Sequence, residues 1–147
     1  PYVLIEANFL VHQNANLHKN CDVDQQGVSI GVSERSAYDL WLSDNFKSAK
    51  IVRAPSIQAS HALFWDNKVD VLASLKPKLI EEIDNREGVT LIEKPFTAVK
   101  QSIGLPKGSQ NSVAYINQVI RSSIQEGWLL DRLNYHGMAS RLGIPLY

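Results

Sequence analysis

The chain has 147 residues, of which 44% are hydrophobic and 20% charged, and its 15 basic and 15 acidic side chains cancel to a formal charge of zero. This length suffices for a domain with its own core, and the balanced charge argues against a nucleic-acid-binding protein. No apolar run reaches the length of a membrane span, and the single cysteine, Cys21, excludes an internal disulfide.

Strand and helix patterns follow one another along most of the chain. The predicted strands, which are apolar and rich in β-branched residues, are 3–11, 28–32, 50–54, 69–75, 89–92 and 96–105. The predicted helices begin at Ser33 or Ser36, at Ser56, at Pro77, near Ser109 and at Trp128, where capping residues or proline precede an apolar periodicity. The polar, turn-rich segment 12–27 predicts a loop.

The alternation from residue 28 to residue 92 predicts an α/β domain with a largely parallel sheet. In such sheets ligands bind at the carboxyl ends of the strands, often at helix N-termini. The strand-to-helix corners at residues 33–37, 54–57 and 75–78 are therefore the places where a binding site is expected.

The first of these corners is Ser33-Glu34-Arg35-Ser36-Ala37. Free backbone N–H groups and the positive end of the helix dipole would attract a carboxylate here. An ordinary capped helix without a ligand is the alternative. Lys76, at the third corner, either meets an anion or is a solvated loop lysine, and the sequence leaves both interpretations open.

Other chemistries have weaker support in the sequence. The spacing of His12, His18 and Cys21 matches no standard zinc pattern, so a polar surface loop is the preferred interpretation. No GxSxG elbow occurs, and His61 lies within a predicted helix, where a core or flank histidine is expected. We therefore expect no metal, no cofactor and no catalytic residue.

Three motifs, in this order, carry a resemblance: GVSIGVSERSAYDLWL, NKVDVLAS and AVKQSIGLPKGSQNSVAYIN. They resemble the C-terminal part of a family 3 extracellular solute-binding protein of an ABC transporter. The resemblance implies the type 2 periplasmic-binding fold, in which two α/β lobes joined by crossing strands close on the ligand. It would make 1–11 the first crossing strand, 12–95 the second lobe, with a mainly parallel sheet flanked by helices, 96–105 the return strand and 106–147 helices that pack on a first lobe missing here.

The resemblance also assigns ligand contacts by position. They are Ser36, Ala37 and Tyr38 as backbone or side-chain contacts, Arg35 and Lys76 as charges at the cleft rim, and Tyr2, Glu6 and Gln101 on the crossing strands. Amino-acid binders of the family carry an acidic residue five places after the aspartate of the NKVDVLAS-type motif, where it meets the ligand ammonium. That place holds Leu75 here. An ammonium would lack its counter-charge, so a ligand with an anionic or neutral end is expected, not a standard α-amino acid.

The function implied is that of a bacterial periplasmic or extracellular binding protein. It would capture a small polar solute, close by a hinge and deliver the solute to an ABC permease. One alternative is a dehydratase-like enzyme on the same fold, with Glu6 and Lys76 as the acid and base. A ligand-sensing module on the same fold is another.

The helix from Ser109 to Gly127 carries an apolar stripe made of Val113, Ile116, Ile120 and Ile124. By the resemblance this stripe rests on the first lobe. Without that lobe the stripe would be exposed and would seek cover. We therefore predict either self-association through this helix or rearranged C-terminal helices.

Overall fold

A computed structural model describes residues 1–147. The strands are β1 (Val3–His12), β2 (Ser29–Ser33), β3 (Lys50–Ala54), β4 (Val71–Leu75), β5 (Val89–Leu91) and β6 (Thr97–Gln101). The helices are α1 (Asn20–Val23), α2 (Ala37–Asn45), α3 (Ile57–Trp65), α4 (Lys76–Asn85), α5 (Gln110–Gln125) and α6 (Trp128–Tyr135). Each predicted strand and helix is present. The short helix α1 lies in the segment predicted as a loop.

The chain divides into two compact units. The α/β unit contains residues 6–99, and the terminal unit contains residues 1–5 and 100–147. The sheet has the strand order β3-β2-β4-β1-β5, and β6 also pairs with β1.

The sheet is mixed, so the expectation of a mainly parallel sheet holds only for its β3-β2-β4 part. Strand β2 runs parallel to β3 and β4, whereas β1 runs antiparallel to β4 and β5. The reason lies in the connections. Helices α2 and α3 return the chain to the starting end of the sheet, which makes successive strands parallel. Strand β1 precedes the first of these crossovers.

Both faces of the sheet are covered, because alternate residues of a strand point to opposite faces. Phe9 of β1 belongs to one buried cluster together with Leu42 of α2, and its ring stacks on Phe96 with the centroids 4.2 Å apart. The neighbouring Leu10 belongs to the other cluster, with Phe64 of α3. The sheet therefore lies between helices, and their packing fixes the positions of the strand ends.

Serine side chains begin two of the helices as predicted. Ser36 Oγ accepts a hydrogen bond from the Asp39 N–H at 3.1 Å, and Ser56 Oγ accepts one from the Ala59 N–H, also at 3.1 Å. Each satisfies a donor that a helix N-terminus otherwise leaves unpaired. Helix α4 begins without a side-chain cap and has Pro77 in its first turn.

The terminal unit is held together by backbone hydrogen bonds between its two chain segments. Leu4 and Gly143 exchange two N–H···O bonds of 2.8 Å. Helix α5 contains no buried residue, and its Val113, Tyr115 and Val119 are 44%, 68% and 45% exposed. Of the predicted stripe, Val113 is exposed, whereas Ile116, Ile120 and Ile124 are half-buried, and self-association through this helix stays a prediction. None of the helices combines the length and apolar character needed to cross a membrane.

Candidate ligand-binding site at the carboxyl edge of the parallel strands

The three parallel strands end at one edge of the α/β unit. Ser33 of β2 lies beside Ala54 of β3 in the register, and Leu75 ends β4. Each strand is followed by a helix, so the N-termini of α2, α3 and α4 lie along this same edge. The three predicted corners therefore lie at the edge where ligands bind in folds of this kind.

At the corner between β2 and α2, Arg35 adopts a left-handed conformation with φ 59°. Its backbone N–H donates to Asp39 Oδ2 at 2.9 Å. The Glu34 N–H donates to the Ala54 carbonyl. The N–H groups of Ala37 and Tyr38, at the first two helical positions, have no acceptor within the protein. These two donors, aligned with the helix dipole, can hold an anionic group.

The Tyr38 side chain points into the core and not to the edge of the sheet. It is 2% exposed and belongs to the same apolar cluster as Phe9. Its hydroxyl is buried and has no hydrogen-bond partner. Of the two contacts that the sequence left open for Tyr38, only the backbone N–H is available at this edge.

An ion pair between a buried aspartate and a half-exposed arginine supports the corner, and neither residue was among the predicted ligand contacts. Asp39 is 3% exposed, and its carboxylate oxygens lie 3.0 and 3.2 Å from Arg53 Nε. Arg53 Nη2 also donates to Ser43 Oγ at 2.7 Å. An aspartate three places after a capping serine is a visible signal, but its partner Arg53 lies on strand β3, 14 residues away. Only the fold brings the two together.

Glu6 and Lys76, both predicted as ligand contacts, form an ion pair with 2.6 Å between Lys76 Nζ and Glu6 Oε2. The register between β1 and β4 sets Ala7 opposite Leu75, which brings Glu6 beside Lys76. Both side chains are partly exposed. Lys76 is thus neither a free cation nor a solvated loop lysine, because it already has a counter-charge.

The two remaining predicted residues, Tyr2 and Gln101, lie in the terminal unit, whereas the other six lie in the α/β unit. The Tyr2 N–H donates to the Gln101 carbonyl at 2.8 Å, which pairs the two backbones. The Tyr2 side chain is 36% exposed. Gln101 is the last residue of β6 and Tyr2 directly precedes β1, and their assignment as ligand contacts on crossing strands stays a prediction.

A second polar network lies between α3, α4 and β4. His61 Nδ1 is 2.7 Å from Glu82 Oε1, and His61 Nε2 is 3.2 Å from Ser74 Oγ. This is the connectivity of a serine–histidine–acid triad. Ser74, however, is fully buried and His61 is 7% exposed, so a substrate has no access to the hydroxyl. The network holds both helices to the sheet, and the prediction of His61 as a core histidine is confirmed.

The carboxyl group of Glu82 also accepts a hydrogen bond from Trp65 Nε1 at 2.8 Å. Burial acts to raise the pKa of Glu82, but the hydrogen bonds from His61 and Trp65, together with nearby positive charge, hold this pKa below its ordinary value. Glu82 is therefore a stable anion at neutral pH.

His12 ends β1, His18 lies in the following loop and Cys21 lies in α1, and the three do not form a cluster. His12 stacks on Phe64, with ring centroids 4.4 Å apart, and Cys21 is exposed. No group of three or more His, Cys, Asp or Glu side chains lies close enough together to hold a metal ion.

The architecture defines a class: the chain has the type 2 periplasmic-binding fold, with a mixed sheet flanked by helices. Solved structures share this fold. They include the P235GK mutant of ArgBP from T. maritima (TM-score 0.70, 14% identity, 92% of this chain and 58% of that chain). Another is the cysteine-binding protein from Campylobacter jejuni (TM-score 0.67, 16% identity, 92% of this chain and 54% of that chain). A third is an ancestral amino acid-binding protein described as a precursor of cyclohexadienyl dehydratase (TM-score 0.72, 15% identity, 92% of this chain and 59% of that chain).

At these identities the similarity concerns the fold. The chain spans 54% to 59% of the length of the three similar proteins. No protein-family model matches the sequence, and no curated protein matches it significantly.

Proposed function

We propose that the chain is part of the solute-binding component of an ABC-type importer. The observation that carries this proposal is the pair of unpaired N–H donors of Ala37 and Tyr38, at the sheet edge where folds of this class bind ligands. The named functions of the similar structures support it, since they include arginine- and cysteine-binding proteins. The protein would capture a small polar solute in the periplasm or outside the cell, close by a hinge and present the solute to a membrane permease.

The ligand we propose is a small acid without an ammonium group. Its carboxylate would accept hydrogen bonds from the N–H groups of Ala37 and Tyr38 at the positive end of the α2 dipole. An α-amino acid would also bring a cation to this edge. Leu75 supplies no charge for that cation, and Glu6 already pairs with Lys76 at 2.6 Å. A second ammonium would compete with Lys76 for the same carboxylate, which disfavours it.

Thermal unfolding in the presence of a solute panel tests this ligand class, because a ligand that binds only the folded state raises the unfolding temperature. The panel contains dicarboxylates, keto acids and the corresponding α-amino acids. We expect stabilisation by the acids that lack an amine, with amide chemical-shift changes at Ala37 and Tyr38. Stabilisation by α-amino acids alone would contradict the proposal.

Leu75→Asp is the matched variant for this test. It places a carboxylate at the position where amino-acid binders of the family carry one, next to Lys76. We expect the variant to gain affinity for α-amino acids relative to the matching acids. If the variant keeps the wild-type preference between acids and α-amino acids, residue 75 does not face the ligand. The proposal of an acid without an ammonium group would then lose its main support.

An enzyme is the second candidate, because the Glu6–Lys76 pair brings a carboxylate and an amine within proton-transfer distance. The structural similarity to a protein described as a dehydratase precursor points the same way. Water elimination from hydroxy acids, assayed with the wild-type chain and with Glu6→Gln, distinguishes the candidates. Turnover that disappears in Glu6→Gln would favour the enzyme, whereas binding without turnover favours the solute-binding protein.

We also infer that copies of this chain associate through α5. The helix has 16 residues, none of them buried, and Arg121 is its only charged side chain. Exposed apolar residues on a helix with so little charge favour contact with a similar surface.

A further inference from the structure

We propose that Asp39 and Arg53 are positioning residues of the binding site. Their ion pair, which joins a buried carboxylate to a half-exposed guanidinium group, holds the left-handed backbone of Arg35 and thereby orients the N–H donors of Ala37 and Tyr38. The inference rests on the proposed function and deepens it, because it assigns control of ligand affinity to two side chains that need not contact the ligand.

The backbone of Arg35 needs support from its surroundings. A residue with a Cβ is disfavoured at φ 59°, so another interaction has to hold it there. The Arg35 N–H donates to Asp39 Oδ2 at 2.9 Å, and Asp39 is the third residue of α2. The carboxylate therefore ties the first turn of the helix back to the corner. This link sets the direction in which the first helical N–H groups point.

An anion at this helix end would lie close to the carboxylate of Asp39. An unpaired carboxylate in the first turn would repel an anionic ligand. Arg53 Nε lies 3.0 Å from Asp39 Oδ1 and offsets that charge. The hydrogen bond from Arg53 Nη2 to Ser43 Oγ at 2.7 Å fixes the guanidinium group. The dipole and the two N–H donors then remain available to the ligand.

The experiment compares the wild-type chain with Asp39→Ala by amide hydrogen exchange and by NMR titration with succinate as the anionic probe. In Asp39→Ala we expect the Arg35 N–H to exchange faster. We also expect the affinity for succinate to fall about tenfold, the size of one hydrogen bond to a charged group, because the Ala37 and Tyr38 donors lose their orientation. Unchanged exchange of the Arg35 N–H in this variant overturns the inference, and so does faster exchange with unchanged affinity.

A rescue variant separates positioning from simple destabilisation. Glycine adopts positive φ without a Cβ penalty. Asp39→Ala combined with Arg35→Gly is therefore expected to bind succinate as well as Arg35→Gly alone. If Asp39 served only to stabilise α2, the glycine would not restore affinity, and the inference would fail.

Asp24→Asn is the matched control. The Asp24 carboxylate accepts hydrogen bonds from the N–H groups of Lys47, Ser48 and Ala49, immediately before β3 begins, at the opposite end of the strand from the corners. This variant should leave the Arg35 exchange rate and the succinate affinity unchanged. An equal loss of affinity in Asp24→Asn and Asp39→Ala would show a general effect on folding and overturn the inference.

Failure of the variant to fold and failure of the wild type to bind succinate have different meanings. If Asp39→Ala does not fold, Asp39→Asn replaces it. The amide keeps an oxygen acceptor for the Arg35 N–H and removes a negative charge beside the ligand, so slow exchange with unchanged or tighter succinate binding supports the inference. Slow exchange with weaker binding contradicts it. If the wild-type chain shows no succinate response, the proposed ligand class is wrong. The exchange of Arg35 in the variants still decides whether Asp39 holds the corner.

Discussion

The hydroxyl of Tyr38 is a polar atom buried without a hydrogen-bond partner, and such a group reduces the free energy of unfolding. Tyr38→Phe should leave that free energy unchanged or raise it by about 1 kcal/mol, because the ring keeps its packing and the unpaired hydroxyl disappears. Denaturant unfolding measures the change. Tyr115→Phe, at a residue that is 68% exposed, is the control and should change it by less than about 0.5 kcal/mol. A clear loss of stability in Tyr38→Phe would mean that the hydroxyl has a partner such as an internal water.

The lowered pKa of Glu82 predicts how stability depends on pH. Because the folded-state pKa lies below the ordinary value of 4.5, the ionised carboxylate stabilises the fold at higher pH, and this contribution is lost as the pH falls through the folded-state pKa. Glu82→Gln should therefore be less stable than the wild type at neutral pH, with the difference shrinking below about pH 4.5. Denaturant unfolding from pH 7 to pH 3 measures this.

Glu81→Gln serves as the control for Glu82→Gln, because Glu81 lies on the same helix and forms an exposed pair with Lys78. Exposed pairs of this kind contribute about 0.5 kcal/mol or less. A stability difference between wild type and Glu82→Gln that stays constant across the pH range would show that the loss comes from packing and not from the charge.

At the scale of elements, the two serine caps offer a matched comparison. Ser36 and Ser56 cap α2 and α3 with the same 3.1 Å hydrogen bond. Each serine-to-alanine variant should lower the free energy of unfolding by about 1 kcal/mol. Only Ser36→Ala should also weaken ligand binding, since only α2 carries the donors of the proposed site. Unfolding curves and ligand titrations of both variants check this. Equal losses of binding would place the ligand closer to α3 than we propose.

The elements were predictable from the sequence because local rules determine them. Strand β3 ends at Ala54 and helix α3 starts after Ser56. Both boundaries follow from β-branched residues, apolar content and capping, which act over a few residues. Strand direction was less predictable. The mainly parallel sheet expected from the alternation became a mixed one, because the pairing of β1 with β4 joins segments about sixty residues apart in sequence.

At the scale of the whole molecule, the exposed face of α5 predicts concentration-dependent association. Val113→Lys combined with Val119→Lys should shift the chain towards monomer, because both side chains are exposed and apolar and a buried lysine without a partner is costly. Light scattering after size-exclusion chromatography measures the mass. Leu146→Lys, at a fully exposed residue outside the helices, is the control. A wild-type chain that stays monomeric at every concentration would contradict the prediction.

The sequence by itself determined the elements, the caps at Ser36 and Ser56, the corners at one edge of the sheet and the resemblance that led to Glu6 and Lys76. These follow from periodicity and short-range hydrogen bonds, which are written in neighbouring residues. Only the tertiary structure decided which charges meet. It paired Glu6 with Lys76 and Asp39 with Arg53, joined His61 to Ser74 and Glu82, and turned the Tyr38 ring into the core. Such contacts depend on strand register and helix packing, which bring together residues far apart in the chain.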